Sequence, residues 1–336
     1  MMRKIGLFVF LIACSFVLVA CNQGNHSEEG SEDEKARKLR MASWSQPITE
    51  QINLLAEEKS YFKDQQIELE FIPGAGGGDA IKNIASGKAD IAFTDPGSLF
   101  AALDKGEKLV VLYDIYPQNV FNIVSLQANQ LTKPQDLKGK TIGVYSLSSG
   151  TRQNLLVMLH HAGLSEEDVT IVETGVLNFA PLMQGRVDAT AATDTGLATG
   201  IAKGLEDVNV MEVKDHFNYS SDLFVVTEDT YEQKKEEILA FLEGYRKSVK
   251  WMMDQPEEAA ALAVKYAIDG KDEAHNLAII ELRNASALPS TGDDKQLGVI
   301  DLPNLQEAAD LYFELGLIEH KLDLTTIVPS EFIAKK

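Results

Sequence analysis

Cysteine is almost absent from this 336-residue sequence, which contains only Cys14 and Cys21. With both thiols in the first 21 residues, the rest of the chain cannot build a disulfide framework, a cysteine metal site or a thiol active site. Basic residues are few relative to acidic ones: the chain has 31 lysines and arginines and 51 aspartates and glutamates, which gives a net charge of −20. A nucleic-acid-binding protein needs a basic face for phosphates, so this balance excludes a nucleic-acid partner.

Several catalytic and cofactor motifs are missing as well. The chain has no H-E-x-x-H metal motif and no G-x-S-x-G nucleophile motif. The segment Gly74–Gly78 resembles a dinucleotide-binding turn, but the third glycine of that motif would fall on Asp79, whose carboxylate would face a pyrophosphate. We therefore predict no catalytic residues, no metal site and no cofactor, and we expect that the protein is not an enzyme.

A single long apolar run stands at the N-terminus. Ile5–Ala20 follows the basic pair Arg3 and Lys4, and it is short for a spanning helix, so it is typical of a secretory signal peptide over residues 1–20. Leu18–Cys21 resembles the bacterial lipoprotein box, which predicts lipid on Cys21. The alternative is a buried N-terminal helix. Residues 21–38 lack aromatic and β-branched side chains, which predicts a flexible tether.

From residue 39 onward, apolar strand-like segments alternate with helical ones, beginning with a strand over Leu39–Ser43, a helix opened by Pro47 and a strand over Ile67–Ile72. This alternation predicts an α/β fold whose mainly parallel sheets are flanked by helices. The pattern restarts after about residue 119, and G-[K/R]-x-D occurs once in each half, ending at Asp90 and Asp188. Thr-Asp closes the strand that follows each copy. This repetition predicts two lobes of similar architecture, with a helical C-terminal third that packs back on the first lobe.

Motifs spread over residues 39–320 resemble one family, the substrate-binding lipoproteins of ABC importers that handle aliphatic sulfonates, nitrate, taurine and the pyrimidine precursor of thiamine. The matching segments are Glu58–Phe62, Ile84–Ala92, Pro134–Val144, Leu182–Ala189 and Leu315–Ile318. The resemblance implies a two-lobed, periplasmic-binding-protein-like fold (type II) with a ligand cleft between the lobes. It also implies an ABC permease and ATPase as partners, a lipid anchor in the cell membrane on the extracytoplasmic side, and a monomer.

The implied division places lobe 1 at residues 39–118 and 224–336 and lobe 2 at residues 119–223. The crossing strands, about Val120–Ser125 and Leu223–Thr227, would act as the hinge. Fungal relatives of this fold make the thiamine pyrimidine with a cysteine-rich motif. The absence of cysteine beyond residue 21 argues against that chemistry here.

Ligands of open α/β sheets bind at the carboxyl ends of the strands, and that rule selects the candidate ligand-binding residues. They are Trp44, Ser45, Gly74, Thr94, Asp95, Asn119, Ser148, Ser149, Thr151, Thr174 and Asp194. Some of them have simpler explanations: Ser149, Thr151 and Asp194 as helix caps, Trp44 as core, and Gly74 as part of a tight turn.

The nature of the ligand depends on the charges in these loops. Trp44 suits stacking on a flat ring, and Asp95 or Asp194 suits acceptance of a hydrogen bond from a ring amine. We therefore expect a small heterocycle such as a thiamine pyrimidine precursor. An alkanesulfonate, taurine or nitrate-like anion is the second candidate, and a ligand sensor or an enzyme on the same fold is an alternative of another class.

Overall fold

The structure is a computed structural model, and it describes residues 36–43, 59–175, 178–266, 271–289, 292 and 294–334. The predicted signal peptide, Cys21 and most of the tether lie outside the described residues, as do Trp44, Ser45 and the helix expected after Pro47. Within the described ranges, no helix is long and apolar enough to cross a bilayer.

Five strands form a first sheet: β1 Arg37–Ala42, β2 Ile67–Ile72, β3 Ile91–Thr94, β4 Leu109–Tyr116 and β10 Asp222–Thr227. Their spatial order is β2-β1-β3-β10-β4. β1 is parallel to β2 and β3, whereas β10 is antiparallel to β3 and β4. β10, the fourth strand in this order, is therefore antiparallel to the other four strands.

The second sheet contains the strands between β4 and β10 in the chain: β5 Phe121–Leu126, β6 Thr141–Val144, β7 Thr170–Glu173, β8 Ala189–Thr193 and β9 Val208–Glu212. Its order is β7-β6-β8-β5-β9, with β5 antiparallel to β8 and β9. In both sheets, the antiparallel strand in fourth place directly follows a connection that crosses between the sheets, β9–β10 or β4–β5.

Helices cover the sheets, and their bounds are α1 Gly77–Ala85, α2 Pro96–Asp104, α3 Gly150–His161, α4 Ala180–Met183, α5 Asp194–Ala202, α6 Glu228–Gln233, α7 Lys235–Asp254, α8 Pro256–Tyr266, α9 Glu273–Ser286 and α10 Leu302–Glu314. Pro96, Pro256 and Pro303 occupy first-turn positions, where the missing N–H costs no hydrogen bond. The predicted α/β class with two mixed sheets is confirmed.

The C-terminal helices bury aromatic side chains against the first sheet. Phe224 of β10 contacts Phe241 and Tyr245 of α7, with ring centroids 5.2 and 4.7 Å apart. Phe100 of α2 meets Tyr312 of α10 edge to face at 5.3 Å. Each buried aromatic side chain contributes roughly 2–3 kcal/mol. The exact lobe boundaries at residues 118, 119, 223 and 224 remain a prediction.

The repeated motif performs the same task in both sheets. Asp90 exchanges two hydrogen bonds with Arg40 of β1, since its N–H donates to Arg40 O and its carboxylate accepts from Arg40 N, both at 2.8 Å. Asp188 does the same with Thr141 of β6, at 2.7 and 2.8 Å. Each aspartate therefore fixes the start of its own strand to the neighbouring parallel strand.

The turn before each aspartate requires glycine. Gly87 has φ of 71° and Gly185 has φ of 67°, in the left-handed region that side chains with a Cβ avoid. The matching conformations and hydrogen bonds show that the sequence repetition reflects equivalent structure.

Two strands were not predicted from the sequence, β4 and β9. β4 is buried along its whole length, so it lacks the alternating pattern of a half-exposed strand. β9 is short, and charged or exposed residues flank it. The crossing strands β5 and β10 differ from their predicted bounds by one residue at most.

Replacing Asp90 with asparagine should destabilise the first sheet. Burial raises the pKa of this carboxyl, but hydrogen bonds from Arg40 and Lys234 outweigh burial and hold the pKa below its usual value. The ion pairs measure 2.8 and 2.9 Å. Because a buried pair loses its compensation when one partner is neutralised, we expect Asp90→Asn to cost about 3 kcal/mol in denaturant unfolding at pH 7.

This cost has a defined pH dependence. A lowered folded-state pKa stabilises the protein above the unfolded pKa of about 3.9, and the stabilisation is lost as pH falls through the folded value. Wild type and Asp90→Asn should therefore converge at acidic pH. Glu70→Gln, which removes the exposed Lys38–Glu70 pair, is the control and should change stability by less than about 1 kcal/mol. Equal stability of wild type and Asp90→Asn at pH 7 would contradict the prediction.

Candidate ligand cleft between the lobes

The carboxyl ends of the parallel strands in the two sheets face each other. On the first sheet, β1, β2 and β3 lead into Ser43, Gly74 and Asp95. On the second sheet, β6 leads into the loop 145–149 and β8 into Asp194. The predicted site residues among the described ranges therefore lie at the carboxyl ends of parallel strands, or in the loops and helix starts that follow them.

The glycine-rich loop of the first lobe contacts the serine-rich loop of the second through main-chain atoms. Gly78 N donates a 3.0 Å hydrogen bond to Ser148 O, and the Ser146 hydroxyl donates to Ala75 O. At Gly76, with φ of 146°, a Cβ atom would lie 2.6 Å from Ser148 O. The two lobes are therefore closed on each other along this side.

Asp95 lies at the centre of this contact and is 3% exposed. It caps α2, accepting from Ser98 N at 2.9 Å and from the Ser98 hydroxyl at 2.8 Å. Its burial raises the pKa of the carboxyl above the usual value. A Cβ atom at Gly77 would lie 2.2 Å from Asp95 Oδ2, and one at Gly150 would lie 3.1 Å from Asp95 Cβ. Asp95 is thus enclosed by backbone from both lobes.

Gly74 and Thr94 occupy the first-lobe side of the cleft. A Cβ atom at Gly74 would lie 2.5 Å from Ser43 O, so the tight-turn explanation applies to Gly74. The Thr94 hydroxyl is buried and has no hydrogen-bond partner among the described residues. A buried hydroxyl without a partner costs free energy, so Thr94 is open to a ligand hydrogen bond.

The predicted hydroxyl residues of the second lobe bond mainly to their own loop. Ser149 Oγ donates to Ser146 O and is also 2.7 Å from Thr151 Oγ1, which accepts from Tyr145 N at 3.0 Å. Ser148 contributes its carbonyl to the contact with Gly78. These bonds arrange the loop before α3, and Ser149 makes no side-chain cap to that helix.

Thr174 and Asn119 are also bonded within the protein. Thr174 Oγ1 donates to Val144 O at 3.0 Å. Asn119 donates from Nδ2 to Asn154 Oδ1 at 2.9 Å, and its Oδ1 accepts from Phe121 N at 2.9 Å. Asn119 therefore orders the start of β5 at the crossing between the lobes.

The second crossing segment is hydrogen-bonded to the first where the chain passes between the sheets. Ser221 Oγ donates to Gln118 O at 2.7 Å and accepts from Val120 N at 2.9 Å. Beside it, Ser220 donates to Asp114 at 2.7 Å, and burial raises the pKa of Asp114 to about 7. The two crossing segments thus form a buried polar junction.

Asp194 pairs with a residue that the sequence did not indicate. Arg283 of α9 forms an ion pair of 2.6 Å with Asp194 Oδ1 at the start of α5. The residue that caps α5 is Thr193, whose Oγ1 accepts from Gly196 N, so the helix-cap explanation does not apply to Asp194. Arg283 lies on an amphipathic helix far from Asp194 in the sequence, and the local pattern carries no sign of this pair.

Two further polar residues of the second sheet were missed: Asn122 lies opposite Ala192 near the carboxyl end of β8, and Thr190 lies near the amino end of β8. The amide atoms of Asn122 and the hydroxyl of Thr190 are buried without a hydrogen-bond partner among the described residues. Asn122 pairs with Ala192 and Val124 with Thr190, so all four side chains lie on one face of the sheet. The amide residue in the mostly apolar strand β5 was the available signal.

Among the described residues, no cluster of three or more His, Cys, Asp or Glu side chains has the arrangement of a metal site.

The paired sheets and facing strand ends define a two-lobed, periplasmic-binding-protein-like fold. The alkanesulfonate-binding protein SsuA from Xanthomonas axonopodis pv. citri, solved with bound MOPS, has this fold: TM-score 0.68, 17% identity, 87% of this chain and 98% of that chain covered. The chain belongs to the family described as NMT1/THI5 like, whose model matches residues 51–259. This membership confirms the resemblance stated from the sequence motifs.

Curated relatives of the chain include proteins of three kinds. It is 23% identical to the formylaminopyrimidine-binding protein of Halalkalibacterium halodurans, over 85% of this chain and 84% of that protein. It is 27% identical to a putative aliphatic sulfonates-binding protein of Bacillus subtilis, over 99% and 96%. It is also 23% identical to the 4-amino-5-hydroxymethyl-2-methylpyrimidine phosphate synthase THI5 of Saccharomyces cerevisiae, over 66% and 67%.

Adding a methyl group at the interlobe contact should hold the lobes apart. A Cβ atom at Gly76 would lie 2.6 Å from Ser148 O, and one at Gly97 would lie 2.8 Å from Gln153 Cβ, so both would meet the second lobe. Because overpacking costs about 1–3 kcal/mol, Gly76→Ala and Gly97→Ala should favour an open form. Small-angle X-ray scattering should show a radius of gyration larger by about 1 Å on a value of about 19 Å.

The control is Gly244→Ala in α7, where a Cβ atom would lie 2.9 Å from Phe62 within the first lobe. This variant should melt at a lower temperature without a change in radius. A radius equal to that of wild type in both Gly76→Ala and Gly97→Ala would show that these glycines do not govern closure.

Proposed function

We propose that this protein is an extracytoplasmic solute-binding protein that captures a small molecule in the cleft between its lobes and delivers it to an ABC importer permease. The observation that carries the proposal is a set of buried polar groups that have no hydrogen-bond partner among the described residues: the Thr94 hydroxyl and the Asn122 amide near the facing strand ends, and the Thr190 hydroxyl on the same sheet face as Asn122. Groups of this kind are retained where a ligand or water completes their hydrogen bonds.

A small heterocycle such as a thiamine pyrimidine precursor is the proposed ligand. Asn122 presents both a donor and an acceptor, and each hydroxyl can act as either. An amide of this kind matches the adjacent donor and acceptor of an aminopyrimidine edge, as it matches adenine. A relative named as a formylaminopyrimidine-binding protein supports this ligand class.

An alkanesulfonate or a similar anion is the second candidate. A relative named for aliphatic sulfonates, aligned over 99% of this chain, favours it. A sulfonate only accepts hydrogen bonds, so it would satisfy the hydroxyls and the amide nitrogen and leave Asn122 Oδ1 without a donor. The unpartnered acceptor is the reason for preferring the heterocycle.

Binding without catalysis is proposed, although the family includes a yeast protein named as a synthase. The main body of this chain contains no cysteine, whereas the resemblance to the fungal proteins implies a cysteine-rich motif for the synthase chemistry. Mass spectrometry of a pyrimidine ligand recovered after incubation should show an unaltered mass, and a changed mass would establish catalysis.

Titration calorimetry separates the two ligand classes. The purified full-length chain should bind a 4-aminopyrimidine with a Kd of about 1 μM or tighter, and an alkanesulfonate at least about tenfold more weakly. Asn122→Asp keeps the size of the side chain and removes the donor, so it should weaken pyrimidine binding. Asn209→Asp on β9, outside the cleft, serves as the control. Tight sulfonate binding without pyrimidine heat would reverse the order of the two candidates.

Attachment to the extracytoplasmic face of the cell membrane by lipid on Cys21 is part of the same proposal, with a monomeric body on the tether. Two acyl chains on a modified cysteine give stable anchoring. Cys21→Ser should move the protein from the membrane fraction to the soluble extracytoplasmic fraction, whereas Cys14→Ser, in the segment to be removed, should leave it in the membrane. Membrane retention of Cys21→Ser would refute the lipid anchor.

A further inference from the structure

Arg283 joins α9 to the second lobe inside the closed protein. Its side chain is 1% exposed, and it makes a 2.6 Å ion pair with Asp194 and a 2.6 Å hydrogen bond to Thr195 Oγ1. Both partners lie in the first turn of α5, directly after β8 of the second sheet. The ion pair therefore crosses from the C-terminal helices to a strand end that faces the cleft.

The other face of the guanidinium contacts the first sheet. It lies 5.0 Å from the ring centroid of Tyr116, the last residue of β4. Ser286, one turn beyond Arg283, lies 3.4 Å from Asp194 Oδ2. An aromatic ring from one sheet and a carboxylate from the other thus enclose the positive charge between the two sets of strand ends.

Burial makes the mutual neutralisation of these two charges necessary. A guanidinium removed from water requires a compensating carboxylate, and Asp194 supplies it. A monoanionic ligand entering beside the pair would have to attract Arg283 away from Asp194 or accept repulsion from Asp194. An uncharged ring can bind there without disturbing either charge.

We propose that the Asp194–Arg283 pair determines ligand specificity, because it holds this part of the cleft at zero net charge and so disfavours monoanions relative to uncharged heterocycles. The inference rests on the proposed function, since it concerns what binds between the lobes. The inference assigns Arg283 a role in specificity. Asp194 then acts as the partner of Arg283 and does not accept a hydrogen bond directly from a ring amine.

A charge cycle tests the pair directly. Asp194→Asn keeps the shape of the side chain and leaves Arg283 uncompensated, so binding of an alkanesulfonate such as ethanesulfonate should tighten by about tenfold or more. The double variant Asp194→Asn/Arg283→Gln restores neutrality and should lose the gain. Arg283→Gln alone leaves a net negative charge and should bind the sulfonate more weakly than wild type does. Calorimetry on the purified full-length protein measures all four affinities.

A second variant keeps the test independent of the folding of Asp194→Asn. Ser286 is the last residue of α9, so Ser286→Lys adds a positive charge beside Asp194 without removing its ion pair with Arg283. It should also tighten sulfonate binding. The matched control is Glu166→Gln, which breaks the exposed Arg152–Glu166 pair of the same 2.6 Å length and should leave sulfonate affinity unchanged.

The outcomes separate this inference from the proposed function. A gain in sulfonate affinity in Asp194→Asn or Ser286→Lys, lost in the double variant, supports the inference whatever the wild-type protein does with a pyrimidine. The inference is overturned if neither folded variant gains sulfonate affinity. It is also overturned if the wild-type protein binds the sulfonate as tightly as Asp194→Asn does. Pyrimidine heat from the wild-type protein reports on the proposed function alone.

Discussion

Contact between main chains is the constraint on which the arrangement of the two lobes depends. Gly77 of the first lobe and Gly150 of the second enclose the Asp95 side chain, with less space than a methyl group needs. Helix starts can approach this closely only where side chains are missing. The burial of Asp95, its raised pKa and the direct bond from Gly78 to Ser148 all follow from that approach.

A second contact between the lobes is made by charge instead of by backbone, through Arg283 and Asp194. Desolvating Arg283 and Asp194 costs free energy that their attraction only partly returns. Their ion pair therefore adds little net driving force to closure, and an empty cleft need not stay closed. A ligand that buries its own surface between the lobes can then decide the balance, which is the behaviour expected of a capture protein.

Local pattern predicted most of the architecture. Apolar segments bounded by turns identified β2 without error, and the repeated G-[K/R]-x-D motif identified matching points of the two sheets. β4 was missed because a fully buried strand has no alternation to detect. Its eight residues, rich in valine, leucine and tyrosine, nonetheless carried a strand composition.

The site was predicted less completely, since strand ends locate loops but do not show which atoms each side chain bonds to. Ser149 and Thr151 were expected to face a ligand, but they bond to each other and to their own loop. Arg283 could not be found from spacing, because its contact with Asp194 arises only in the tertiary fold.

The two crossing connections also bear on the order of folding. β3 ends at Thr94, and its antiparallel neighbour β10 begins 128 positions later at Asp222, so pairing these strands closes a long loop. All strands of the second sheet, in contrast, are contiguous in the chain. Loop-closure entropy and contact order both favour the contiguous sheet. The second lobe should therefore assemble first and bring the two crossing segments together, so that the inserted lobe serves as a template on which the divided first lobe is completed.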